Sequence, residues 1–126
     1  MGLDITFNAR SRLDPKACEE VGYFRKVNFI LTYFDVNDSN CERIEISKPE
    51  FEAFVKDLFI EKTHHDARGN IEPWNQKLRT KDVFFGGSIA YDNDYWNDID
   101  RVYEWASKML KKFKWRSDEM FLWCSW

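Results

Sequence analysis

The sequence predicts an α+β fold in one domain spanning residues 1–126, a mostly antiparallel sheet of about four strands with three main helices packed on it. Three observations carry this expectation. Short stretches alternate or run apolar as strands do, and two long stretches repeat apolar residues every three to four positions as helices do. No linker or internal repeat divides the chain, so both kinds of element must share one core. At 126 residues that core closes without metal or disulfide staples.

In chain order, Leu3, Ile5, Phe7 and Ala9 alternate with Asp4, Thr6 and Asn8, the period of a half-buried strand. Asp14-Pro15 pairs a good N-cap with a residue suited to the first helical position, so residues 16–20 are expected to form a short helical turn. Gly22 then re-aims the chain into an expected organising helix over residues 22–34. On it Phe24, Val27, Leu31 and Phe34 form one stripe, with Tyr23, Phe29 and Ile30 beside it. The opposite stripe is Arg25, Asn28, Thr32 and Asp35. A helix so apolar should be buried nearly all round. Its polar stripe must then meet protein groups, water or a ligand, because an unpaired buried polar or charged group is costly.

The polar cluster at 37–40 ends that helix. Ile44 and Ile46 alternate with Arg43 and Glu45 in a second strand over 41–47. Ser47 and Glu50 have the spacing of a capping box, and Phe51, Phe54, Val55, Leu58 and Phe59 follow with one-face spacing, predicting a helix over 49–60. Residues 62–82 carry Gly, Pro and charge without a period and read as a long irregular excursion. Val83-Phe84-Phe85 reads as a short buried strand running into Gly86-Gly87-Ser88. From Asp92 onward Trp96, Ile99, Val102, Tyr103, Ala106, Met109, Leu110 and Phe113 predict the longest helix, and residues 120–126 an aromatic closing strand.

A hydrophobic content of 44% with 33% charged residues is that of an ordinary soluble globular chain, and the 17% aromatic content, including six Trp, leaves rings for a pocket or interface as well as a core. A net charge of -3 argues against duplex nucleic acid, which needs a concentrated basic surface, and is too small for a mimic of DNA. Lys108, Lys111, Lys112 and Lys114 sit at a helix end, where cations suit the macrodipole. Cys18, Cys41 and Cys124 are odd in number and lack CxxC spacing, so reduced thiols of a cytoplasmic protein are expected. The sequence contains neither a signal peptide nor an apolar run of membrane-spanning length, and Met1-Gly2 does not continue as a good myristoylation signal.

Met1-Gly2-Leu3-Asp4, the run from Val21 to Asn28 (VGYFRKVN), Asn40-Cys41, Phe84-Phe85-Gly86-Gly87-Ser88 with Tyr91-Asp92, and the closing Ser125-Trp126 are spread over the whole chain. In these motifs it resembles a family of small phage and prophage proteins that open Met-Gly-Leu-Asp and carry a GYWRKAN-like segment. It departs from that pattern at Ile5-Thr6-Phe7, where the family commonly has Met-Tyr-Leu-Tyr, and over residues 64–81. The resemblance implies a setting, a viral gene product in a host bacterial cytoplasm, and no particular chemistry.

Candidate ligand-binding residues are Arg25, Lys26, Asn28, Thr32, Gly86, Gly87, Ser88 and Tyr91. Arg25 offers a planar fork to phosphate or carboxylate, and Asn28 an orienting donor and acceptor. The alternative is that Arg25 pairs internally and Asn28 bonds backbone. Gly86 to Ser88 would let backbone N–H groups approach an anion, although no Walker pattern is present and Asp92, Asp94 and Asp98 place negative charge nearby. The same glycines also suit a plain bulge or turn. Tyr91 is the stacking candidate, and Trp96 belongs to the core stripe of its helix.

No catalytic residue, metal ligand or cofactor is expected. His64-His65-Asp66 lacks a partner set for zinc, the acidic cluster at Asp92 to Asp100 lacks an EF-hand pattern, and no nucleophile motif occurs. The leading expectation is therefore a pocket protein that sequesters an anionic, nucleotide-like ligand, in its concrete biological form a host defence signalling nucleotide. It would act as a homo-oligomer, which deepens a pocket at a subunit boundary. The alternatives are a protein that blocks a host enzyme through its surface, and a small metal-assisted phosphoester hydrolase using Asp92, Asp94 and His65.

Overall fold

The computed structural model describes residues 2–36, 38–80 and 90–126. Two strands open the chain, β1 (Asp4–Ser11) and β2 (Cys18–Arg25), followed by α1 (Asn28–Phe34), β3 (Arg43–Ile46), α2 (Lys48–Arg68), a 3-10 turn (Gln76–Leu78), α3 (Asn93–Lys112) and β4 (Asp118–Ser125). The strands form one fully antiparallel sheet in the order β2-β1-β4-β3, so the α+β class read from the periodicities is the one observed.

Alternation sorts the two faces of this sheet. Opposite Phe7 lie Gly22 on one neighbour and Leu122 on the other, with Ile44 beyond, and the next inward row is Phe24, Ile5 and Cys124. Against these rows pack Phe29, Ile30 and Leu31 of α1, Phe51, Phe54 and Leu58 of α2, and Ile99, Val102 and Ala106 of α3, all buried in one core. Phe7 is its hub, meeting the rings of Phe34 (6.4 Å), Phe51 (6.4 Å) and Trp105 (4.8 Å), one from each helix. Phe121 points to the other face, under the Arg10 guanidinium 4.4 Å from its centroid.

Two expectations near the N-terminus are corrected. Residues 18–20 are strand rather than a helical turn, and the helix expected over 22–34 is two elements. Gly22 to Arg25 complete β2, and α1 begins only at Asn28. Tyr23 and Phe24 satisfy either period over so short a run. Pairing with β1 decides between them, because it ladders seven residues of each strand while Phe24 enters the core and Tyr23 stays outside. Lys26 makes the break with a left-handed φ of 60°, its N–H donating to the Leu3 carbonyl at 2.8 Å.

The Ser47–Glu50 capping box is present in both directions, Glu50 N–H to Ser47 Oγ at 3.2 Å and Ser47 N–H to Glu50 Oε1 at 3.1 Å. The helix it starts runs to Arg68 rather than ending near 60, and at 21 residues it exceeds α3 by one, so α3 is not the longest. The added turns carry Glu61. This carboxylate, only 1% exposed, accepts the backbone N–H groups of Trp74 (3.1 Å) and Asn75, tying the following loop back onto α2. The expected strand at Val83–Phe85 lies outside the described residues.

Candidate ligand-binding site

Asn28 is the first residue of α1 and Thr32 lies one turn further, so the two side chains share a side of the helix. Asn28 is 2% exposed, and neither its Nδ2 nor its Oδ1 has a hydrogen-bond partner among the described residues. Thr32 Oγ1 is buried and equally without one. A buried orphan of this kind costs about 1–3 kcal/mol, and native structures pair the large majority of them. A donor and an acceptor on a single buried amide, with a hydroxyl beside them, offer hydrogen bonds that no described residue takes up.

α1 packs on the 3-10 turn, and an aromatic brace joins that turn to α3. Phe29 meets the Tyr95 ring edge-on at 5.7 Å, and Tyr95 Oη donates to the Leu78 carbonyl at 2.7 Å. Tyr91 lies edge-on to Tyr95 at 5.0 Å, and its hydroxyl oxygen accepts the Thr80 N–H at 3.1 Å. Burial, reinforced by the charges of Tyr91 and Glu61, pushes the Tyr95 hydroxyl far above its ordinary value, so it remains a fixed donor. Thr80 Oγ1 and Trp96 Nε1 join the buried polar atoms that lack partners among the described residues. No sequence signal marks Thr80, which stands in an aperiodic stretch. Trp96 is buried on its helix stripe as expected, but its unpaired indole N–H was not foreseeable from spacing.

Arg25 does not join Asn28. It closes β2 opposite Asp4, its guanidinium is 62% exposed, and its Nε lies 3.9 Å from Asp4 Oδ1. The left-handed residue between strand and helix removes the single polar stripe that a continuous helix would have carried. Lys26 is exposed and has no ion pair among the described residues. Gly86, Gly87 and Ser88 lie outside the described residues.

The groups that invited metal chemistry have structural work. Asp92 Oδ1 caps α3 by accepting the Tyr95 N–H at 3.2 Å. Asp98 binds Arg101 at 2.9 Å, and burial pushes its carboxyl above the usual value against the pull of that guanidinium. His65 stacks on Trp96 at 4.4 Å and its Nε2 donates to Asn70 Oδ1 at 2.7 Å, while Asn70 Nδ2 donates to Asn93 Oδ1 at 2.7 Å. Among the described residues no three His, Cys, Asp or Glu side chains are grouped as a metal would require, and no helix is long and apolar enough to cross a membrane.

No protein-family model, curated protein or solved structure matches this chain, so no activity or site residue comes to it from a relative.

Proposed function

We infer that the chain is a binding protein without turnover of its own, taking a small nucleotide-like ligand against the Asn28–Thr32 side of α1. The observation that carries this reading is the Asn28 carboxamide, buried with both polar atoms unpaired among the described residues. A side-chain amide presents a donor and an acceptor side by side, the complement of a nucleobase edge such as that of adenine. Thr32 adds a hydroxyl that adapts to either role. Arg25 and Lys26 stand a few residues before Asn28 and leave cationic groups exposed for an anionic moiety, as separate surface charges rather than a buried clamp. The biological form we favour, given the phage-like motifs, is sequestration of a host defence nucleotide by a homo-oligomer.

Thermal-shift screening and calorimetry against cyclic and linear nucleotides test this. One of them should raise the melting temperature at micromolar concentration, and Asn28→Leu should abolish that shift in a folded protein. The reading falls if no nucleotide binds in that range, or if Asn28→Leu binds as the parent does.

One observation favours the second reading, a protein that blocks a host enzyme. Trp74 is 68% exposed beside the Arg68 guanidinium and edge-on to the His64 ring, and Ile60 and Ile71 are exposed as well, so large apolar groups stand in solvent. Trp74→Ala would then weaken partner capture and leave any nucleotide shift unchanged.

A further inference from the structure

The far end of α3 holds a different feature. A cavity of about 450 Å³ is lined by Ala9, Val21, Met109 and Phe113, with Glu19, Glu20, Lys112, Lys114 and Asp118 among its charged groups. A second space of about 280 Å³ adjoins it, sharing Ala9, Glu19 and Asp118. At 1.5 Å per residue, roughly 20 Å of helix separates this end from Tyr95, so it is distinct from the Asn28 side.

Its walls are built by the register. Asn8 pairs with Glu20 while Phe7 pairs with Gly22, so Val21 is the extra residue of a β-bulge. Trp105 Nε1 holds the Val21 carbonyl at 2.9 Å, fixing the bulge. On the other side the 114–118 turn is closed by the Asp118 N–H on the Lys114 carbonyl at 2.8 Å. Carboxylates therefore come from β2 and the start of β4, and ammonium groups from Lys112, the last residue of α3, and Lys114, in the turn that follows it. None of these five charges is in an ion pair among the described residues, although all line one space.

We propose that this cavity binds a short zwitterionic peptide with apolar side chains, of dipeptide size. Its α-ammonium meets Glu19, Glu20 and Asp118, its carboxylate meets Lys112 and Lys114, and its side chains lie on Val21, Met109 and Phe113. The volume falls in the ordinary range for small-molecule sites. A free amino acid carries its two charges on one carbon. A dipeptide separates them, as walls of opposite sign on different elements require. The proposal is independent of the nucleotide reading.

Calorimetry with L-leucyl-L-leucine on the intact chain tests it, alongside the N-acetylated dipeptide, the C-amidated dipeptide and free leucine. Binding is expected for the parent dipeptide, weakened by about tenfold or more when either terminal charge is removed, since charge-assisted contacts are the strong ones. The exposed pair Lys112→Glu with Lys114→Glu should lose binding while circular dichroism and melting stay those of the parent. Absence of binding at about millimolar dipeptide, equal binding of both blocked forms, or unchanged binding in the double variant overturns it.

Discussion

At the scale of single residues, Asn28 is held at a cost. Its amide is buried and unpaired among the described residues, so replacing it by an apolar group of similar size removes the desolvation cost without leaving a new orphan. Asn28→Leu is expected to raise stability by about 1–3 kcal/mol in urea melts of ligand-free protein, while removing nucleotide binding. A loss of stability of that size would mean that the amide has structural partners. The cysteines differ for a related reason. Cys124 lies in the core, and burial pushes its thiol up to about 12, while Cys18 and Cys41 are exposed. The thiolate is the reactive form, so at pH 8 a thiol reagent should label Cys18 and Cys41 in native protein and reach Cys124 only after unfolding. Mass spectrometry of labelled peptides reads the difference.

At the scale of elements, the junction of β2 and α1 is where local pattern and tertiary demand diverge. Residues 22–34 carry enough apolar residues to suit a helix, yet β2 pairs along one edge of β1, and Gly22 must pass beneath Trp105. A Cβ on Gly22 would lie 2.4 Å from Trp105 Cζ2, and that indole is pinned by Val21 and packed on Phe7, Phe24 and Phe51. Gly22→Ala is therefore expected to cost about 1–3 kcal/mol through overpacking, seen as a lower denaturation midpoint with an unchanged slope. α2 shows the opposite case. Its capping box was legible because both partners lie within four residues, whereas the burial of Glu61 rests on backbone N–H groups from residues 74 and 75. Glu61→Ala should free that loop from α2, leaving the Trp74 and Asn75 N–H groups without this acceptor, and increase amide exchange at both.

At the scale of the whole molecule, β4 closes the sheet. It lies between β1 and β3 and contributes Met120, Leu122 and Cys124 to the core, so deleting residues 118–126 removes the only partner of β3 among the described strands. Such a chain is expected to show no cooperative thermal transition by circular dichroism. A cooperative melt would mean that the core stands without its second central strand. Near neighbours in the chain were enough for the alternation of β1, the aromatic closing strand, the apolar face of α3 and the cap of α2, and hence for an α+β fold. Distant partners settled the rest. Strand pairing made residues 18–25 a strand, a left-handed Lys26 sent Arg25 outward and Asn28 inward, and Thr80 became a buried hydroxyl with no sequence signal. Periodicity reports which side of an element is apolar, but the partner of a backbone or side-chain polar group is fixed only when the whole chain has folded.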